Sequence, residues 1–150
     1  LSSAASDVYK RQPFTTKGVI VGHIQDDWRK YQIIDTPGLL DREFDERNDI
    51  EKQAVLALRY LTDVMLFVLD PSETCGFPMA VQEKLLKTVK KGFPGVTIIE
   101  AESKCDVYKS GGDRLCFSAQ TGEEMDVLTG RIMEELRSIA RRKDAEAELE

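Results

Sequence analysis

Four short stretches carry residue types that can do chemistry together. Asp35-Thr36-Pro37-Gly38 places a carboxylate, a hydroxyl and a glycine side by side. Such a carboxylate can organise the water around magnesium, and a nearby hydroxyl can ligate the same hard cation. Gly38, with no Cβ in the way, can offer its backbone N–H to a terminal phosphate. Ser103-Lys104-Cys105-Asp106 brings a second carboxylate. Asp106 can accept two hydrogen bonds from a planar base presenting adjacent N–H groups, and the aliphatic stem of Lys104 can cover that base's face. Ser118-Ala119 and Pro13-Phe14-Thr15-Thr16 complete the set. Alone, each is weak: DTPG also reads as a simple turn, and SKxD says almost nothing by itself.

The elements around these stretches give them order. Residues 18–24 and 30–34 read as strands on either side of the polar turn Gln25-Asp26-Asp27, an antiparallel hairpin. Pro37 and Gly38 stop the second strand. The charged run LLDREFDERNDI then reads as a solvated, mobile loop. Asn48 stands three residues before Glu51, a capping-box spacing, and Ala54, Leu58 and Leu61 recur at helical intervals, which predicts a helix over 49–61. VMLFVLD, 64–70, is continuously apolar and predicts a strand covered on both faces. A helix follows over 79–90, then a strand over 96–100 and a shorter one over 114–117. Thr121 and Glu124 again have capping-box spacing. Met125, Leu128, Ile132, Leu136 and Ile139 form the apolar stripe of a helix over 122–142, with 143–150 as its frayed end or a tail.

Strands alternating with helices predict a mostly parallel sheet with right-handed crossovers. In such sheets ligands collect beyond the carboxyl ends of the strands, which is where Asp35, Ser103–Asp106 and Ser118-Ala119 fall.

Composition bounds the alternatives. The chain has 150 residues and a net charge of −6, with 41% hydrophobic and 32% charged residues. Those values suit one globular domain and exclude a disordered or collagen-like chain. The acidic balance argues against a broad basic surface for DNA. Apolar runs reach only about six residues, whereas a membrane span needs about 20. Cys75, Cys105 and Cys116 lack CxxC spacing, and His23 is the single histidine, so neither a zinc site nor a disulfide scaffold is indicated. Reduced thiols point to a cytoplasmic setting. His23 reads as structural. Lys84, Lys87, Lys90 and Lys91 read as a solvated helix face.

Three stretches together are far more specific: PFTTKG at 13–18, YQIIDTPGLLDREFDERNDIEKQAVLALRYL at 31–61 and DPSETCG at 70–76. With them the chain resembles the G domain of the Obg/Nog1 group of GTPases, and most of all the Nog1-like archaeal GTP-binding proteins, from residue 13 to about 140. The resemblance implies a three-layer α/β P-loop NTPase fold that binds GTP or GDP with Mg2+. It also implies GTP hydrolysis coupled to large ribosomal subunit assembly, with guanine nucleotide and the large subunit or its RNA as partners. Thr15 and Thr16 would lie in the first switch, Thr16 ligating magnesium. Asp35 would hold magnesium through water and Gly38 would contact the γ-phosphate. Ser103, Lys104 and Asp106 would read guanine, and the backbone N–H of Ala119, next to Ser118, would face its oxygen. Leu39 stands where many small G proteins carry a catalytic glutamine.

Two departures stand out. Within these 150 residues no GxxxxGK[ST] occurs. That loop supplies the N–H nest and lysine that cradle phosphates. Residues 1–12 have no family counterpart, and DVYKRQ resembles a translated transposon-end adapter. The expectation is therefore an N-terminally truncated G domain over 13–142, behind an artefactual or disordered tail. It would lack the first strand and the P-loop helix, and would not turn over GTP usefully. Ser103 is the second departure, since the family has asparagine there. The alternative function is a non-catalytic module that binds the ribosome or a protein.

Overall fold

A computed structural model describes residues 20–35 and 44–150. The chain divides into two compact units, 1–55 and 56–150.

In the first unit, β1 (Ile20–Asp26) and β2 (Arg29–Asp35) pair antiparallel, with Ile20 opposite Asp35 and Asp26 opposite Arg29. Asp27 takes a positive φ of 52° at the turn, and the Gln25 amide donates to its carbonyl at 2.7 Å. Short polar side chains tolerate that conformation best. Gly22, Ile24, Tyr31 and Ile33 are half-buried, while His23 and Gln32 face each other on the exposed side. A short 3-10 turn, Phe44–Glu46, precedes α1 (Asp49–Leu61). The reciprocal capping box forms as its spacing predicts: the Asn48 N–H donates to Glu51 at 3.0 Å, and the Glu51 N–H donates to Asn48 at 2.9 Å.

The second unit holds a parallel sheet in the order β3-β4-β5. Its strands are β3 (Val64–Leu69), β4 (Thr97–Glu102) and β5 (Leu115–Cys116). Two helices connect and follow them, α2 (Met79–Gly92) and α3 (Met125–Glu148). The register sets Leu69 beside Glu102 and Glu102 beside Cys116, so the three strands end level. Leu69, Leu86, Val89, Phe93 and Ile99 are buried. Ala101, Phe117 and Leu128 form a core cluster with Leu115, Met125 and Ile132 around it.

Two expectations change. β3 is not covered on both faces, because Leu66 is 36% and Val68 46% exposed. Among the described residues of this unit β3 pairs with β4 alone, so it is an edge strand. The Thr121–Glu124 capping box does not form. Gly122 and Glu124 both take positive φ, the Thr121 hydroxyl accepts from Glu123 instead, and the helix starts at Met125. At its other end α3 continues through the charged residues to Glu148. That end is rich in Ala, Glu, Lys and Arg, which are strong helix formers.

Candidate functional site

The loops leaving β4 and β5 are laced together. Ser103 continues the sheet beyond β4: its N–H and its hydroxyl both donate to the Leu69 carbonyl, at 2.8 and 3.1 Å. The serine hydroxyl is thus turned toward the end of β3. Two bonds then hold the second loop to the first. The Phe117 N–H donates to Glu102 at 2.8 Å and the Cys105 N–H to Phe117 at 3.1 Å. The Lys104 carbonyl accepts from Val107 and Tyr108 at 2.9 and 3.0 Å, closing a turn around Asp106. Asp106 is exposed, and among the described residues its carboxylate has no hydrogen bond or ion pair. An ionised carboxylate in that state is an acceptor only, suited to a ligand that presents N–H groups.

Ser118 is wholly buried and shapes the neighbouring turn. Its N–H donates to the Glu123 carbonyl at 2.9 Å, its hydroxyl accepts from the Thr121 N–H at 3.1 Å, and its carbonyl accepts from Gly122 at 2.9 Å. Ala119 rides exposed on that turn. The serine therefore does structural work, and the next residue is the one presented outward. Lys109 pairs with Glu123 at 2.6 Å, which holds the Glu123 carboxyl below its ordinary range. Burial, helped by Glu123, pushes the Cys105 thiol up to about 11. Cys116 is also raised, first by burial. Neither is an activated nucleophile, because reactivity needs a thiolate.

At the end of β3 the chain wraps around Asp70. This carboxylate is 6% exposed as a residue and receives five donors. Oδ1 accepts from the Ser72 N–H at 3.1 Å and its hydroxyl at 2.5 Å. Oδ2 accepts from the Cys75 N–H at 2.9 Å, the Thr74 hydroxyl at 3.2 Å and the Lys104 ammonium at 2.5 Å. Burial by itself raises the Asp70 carboxyl. Lys104, Ser72 and Cys75 together outweigh it and hold the group down at about 2. Gln82 on α2 fixes the backbone of Asp70, accepting its N–H at 2.7 Å and donating to its carbonyl at 2.9 Å. Glu73 accepts the Met79 N–H at 2.8 Å, which caps α2 where Pro78 offers no side-chain cap. Asp70, Gln82, Ser103 and Lys104 line a cavity of about 330 Å³ together with Phe67, Phe77 and Leu85.

Just before β5, Arg114 makes a two-pronged contact with Glu83, at 2.5 and 3.0 Å, and also binds Glu100 at 2.8 Å. Lys90 pairs with Glu100 as well, so one lysine of the expected solvated face has an ionic partner.

The structure therefore brings Ser103, Lys104, Asp106, Ser118 and Ala119 into adjacent loops at the carboxyl end of one sheet. Asp35 ends β2, half-buried, in the other unit. Thr15, Thr16 and Gly38 lie outside the described residues, as do residues 39–43 of the loop after Gly38. Asp70, Thr74 and Gln82 were not singled out by sequence reasoning. The run DPSETCG carries the family likeness, and an Asp followed by Ser and Thr is also a turn signal. Among the described residues no group of three or more His, Cys, Asp or Glu can hold a metal. None of their helices is long and apolar enough to cross a membrane.

An α/β chain with an antiparallel hairpin and a parallel sheet, its polar loops gathered at the strand ends, has the topology of a partial P-loop-NTPase-like G domain. Residues 49–106 match the family model of nucleolar GTP-binding protein 1, NOG1. The chain is 50% identical over 95 residues to an uncharacterized protein of Methanocaldococcus jannaschii, covering 63% of this chain and 26% of that protein. It is 36% identical over 127 residues to nucleolar GTP-binding protein 1 of Arabidopsis thaliana, covering 82% of this chain and 19% of that one. A crystal structure from Plasmodium falciparum, assigned as nucleolar GTP-binding protein 1, superposes with a TM-score of 0.72 at 28% identity, over 95% of this chain and 83% of the other. The chain spans about a quarter or less of the length of these curated relatives. One expectation is overturned here. The cytoplasmic setting inferred from reduced thiols does not stand, because the named eukaryotic relatives are nucleolar proteins by name.

Proposed function

We propose that this chain is part of a Nog1-type GTP-binding protein acting in large ribosomal subunit assembly, and that it carries the base-reading half of a guanine-nucleotide site. The higher identity to the archaeal relative supports an archaeal Nog1-like source. The observation that carries the reading is the lacing of the SKCD loop to the Ser118-Ala119 turn. It leaves the Asp106 carboxylate and Ala119 outward on neighbouring turns. In this reading Asp106 accepts the two N–H groups on guanine's edge, the Lys104 stem covers one face and the Ala119 N–H meets the base oxygen. Ser103 contributes less, because its hydroxyl is already donated to Leu69.

Magnesium belongs with the nucleotide rather than with a protein cage. Mg2+ is held by one or two side chains plus phosphates and water, and Asp35, through water, and Thr16 are the residues proposed to hold it. When bound it neutralises charge on the phosphates. Thr15 and Gly38 are proposed to sense the terminal phosphate. With no GxxxxGK[ST] among these 150 residues, the phosphates lack several charge-assisted contacts at once. The chain then binds GTP more weakly than micromolar and does not hydrolyse it usefully.

Titrating the isotope-labelled chain with GMP and AMP tests this, because the two share a phosphate and differ in the base. We expect weak, GMP-selective shifts at 104–108 and 118–120 that Asp106→Ala abolishes. Equal responses to both nucleotides, or undiminished GMP selectivity in Asp106→Ala, would refute the base site. Micromolar GTP binding with magnesium-dependent turnover would refute the claim of inactivity.

A further inference from the structure

We propose that Asp70 is a positioning residue for Lys104, and through it for the whole base-reading loop; this rests on the base-site reading above. Lys104 takes a left-handed backbone with φ +60°, a conformation that disfavours any residue with a Cβ. Something must hold it there. Its ammonium is held at the far end of the side chain, 2.5 Å from Asp70 Oδ2 and 2.5 Å from the Thr74 hydroxyl. Its carbonyl is held at the near end by the Val107 and Tyr108 N–H groups. With both ends fixed, the stem between them has one course, and Asp106 is carried in the turn that the same carbonyl closes.

The anchor is itself rigid. Asp70 does not depend on Lys104 for its place. The Ser72 and Cys75 N–H groups wrap its carboxylate, and the Gln82 amide pins both of its backbone groups from α2. Lys104, by contrast, has a side chain 40% exposed and would turn into water without this partner. Force therefore runs from the end of β3 to the loop after β4. It runs across a gap in the sequence of 34 residues. A preorganised stem and carboxylate bind a base without first losing rotamer freedom, which is the usual gain from such fixing.

The test is a double-mutant cycle on the full 150-residue chain, read by amide shifts with GMP as the probe and AMP as the control. Asp70→Asn should weaken GMP binding about two- to fivefold, the range of a half-exposed ion pair. It should also move the backbone carbon shifts of Lys104 away from their left-handed values. In a Lys104→Met background the same change should cost nothing further, because Asp70 acts through the ammonium. Thr74→Val, which removes the second acceptor, should act in the same direction and carries the test if Asp70→Asn does not fold. An equal loss of GMP affinity in both backgrounds, or unmoved Lys104 shifts, would overturn the proposal while leaving the base site standing. Absence of any GMP-selective shift in the unmutated chain would remove the base site and this proposal together.

Discussion

The Asp70 cradle has a measurable signature in acid. The carboxyl sits at about 2 in the folded chain against an ordinary 3.8. At about 1.4 kcal/mol per unit, that gap is about 2 kcal/mol of folding stability. The folded value lies below the unfolded one, so the contribution is complete above about pH 4 and is lost as pH falls through about pH 2. The Asp70 side chain is only 7% exposed, so little of this is screened by solvent. Urea unfolding of the parent chain and Asp70→Asn, compared from about pH 6 down to about pH 2, isolates the effect. Other carboxylates titrate in both proteins and drop out of the difference. We expect Asp70→Asn to be less stable by about 2 kcal/mol at the upper end, with the two curves converging at the lower end. Curves that stay parallel across the range would show that Lys104, Ser72 and Cys75 do not hold this carboxylate as described.

Two further changes probe the frame around the site. Arg114→Ala leaves Glu83 and Glu100 without their shared cation. Because the arginine side chain is 28% exposed, we expect a loss of about 1–2 kcal/mol, read as a lower urea midpoint, with Glu83 returning toward its ordinary range while Glu100 stays lowered by Lys90. Asn48→Ala removes one half of the reciprocal cap on α1. Hydrogen exchange in the first turn of that helix should accelerate, by an amount equal to about 1 kcal/mol, and Asn48→Asp should keep most of the protection.

The two capping boxes show how far local pattern reaches. Asn48 and Glu51 need only each other, and the predicted bonds form. Thr121 and Glu124 have the same spacing, yet the buried Ser118 hydroxyl takes the Thr121 N–H first and two positive φ values follow. The apolar run at β3 misled for a related reason. Periodicity reports which residues can be buried, whereas the elements packed on each face of the sheet decide which ones are.

Taken by itself, the sequence determined the order of strands and helices, the hairpin, and the loops that carry Ser103–Asp106 and Ser118-Ala119. Those depend on periods of two and 3.6 residues and on turn residues, which act over a few positions. Only the tertiary structure decided that Asp70 and Thr74 reach Lys104, that Ser103 and Ser118 turn inward, and that Arg114 gathers Glu83 and Glu100. Apart from Ser118, whose partners lie within five residues, each of those joins residues far apart along the chain, and such contacts exist only once the parallel strands have set their ends level.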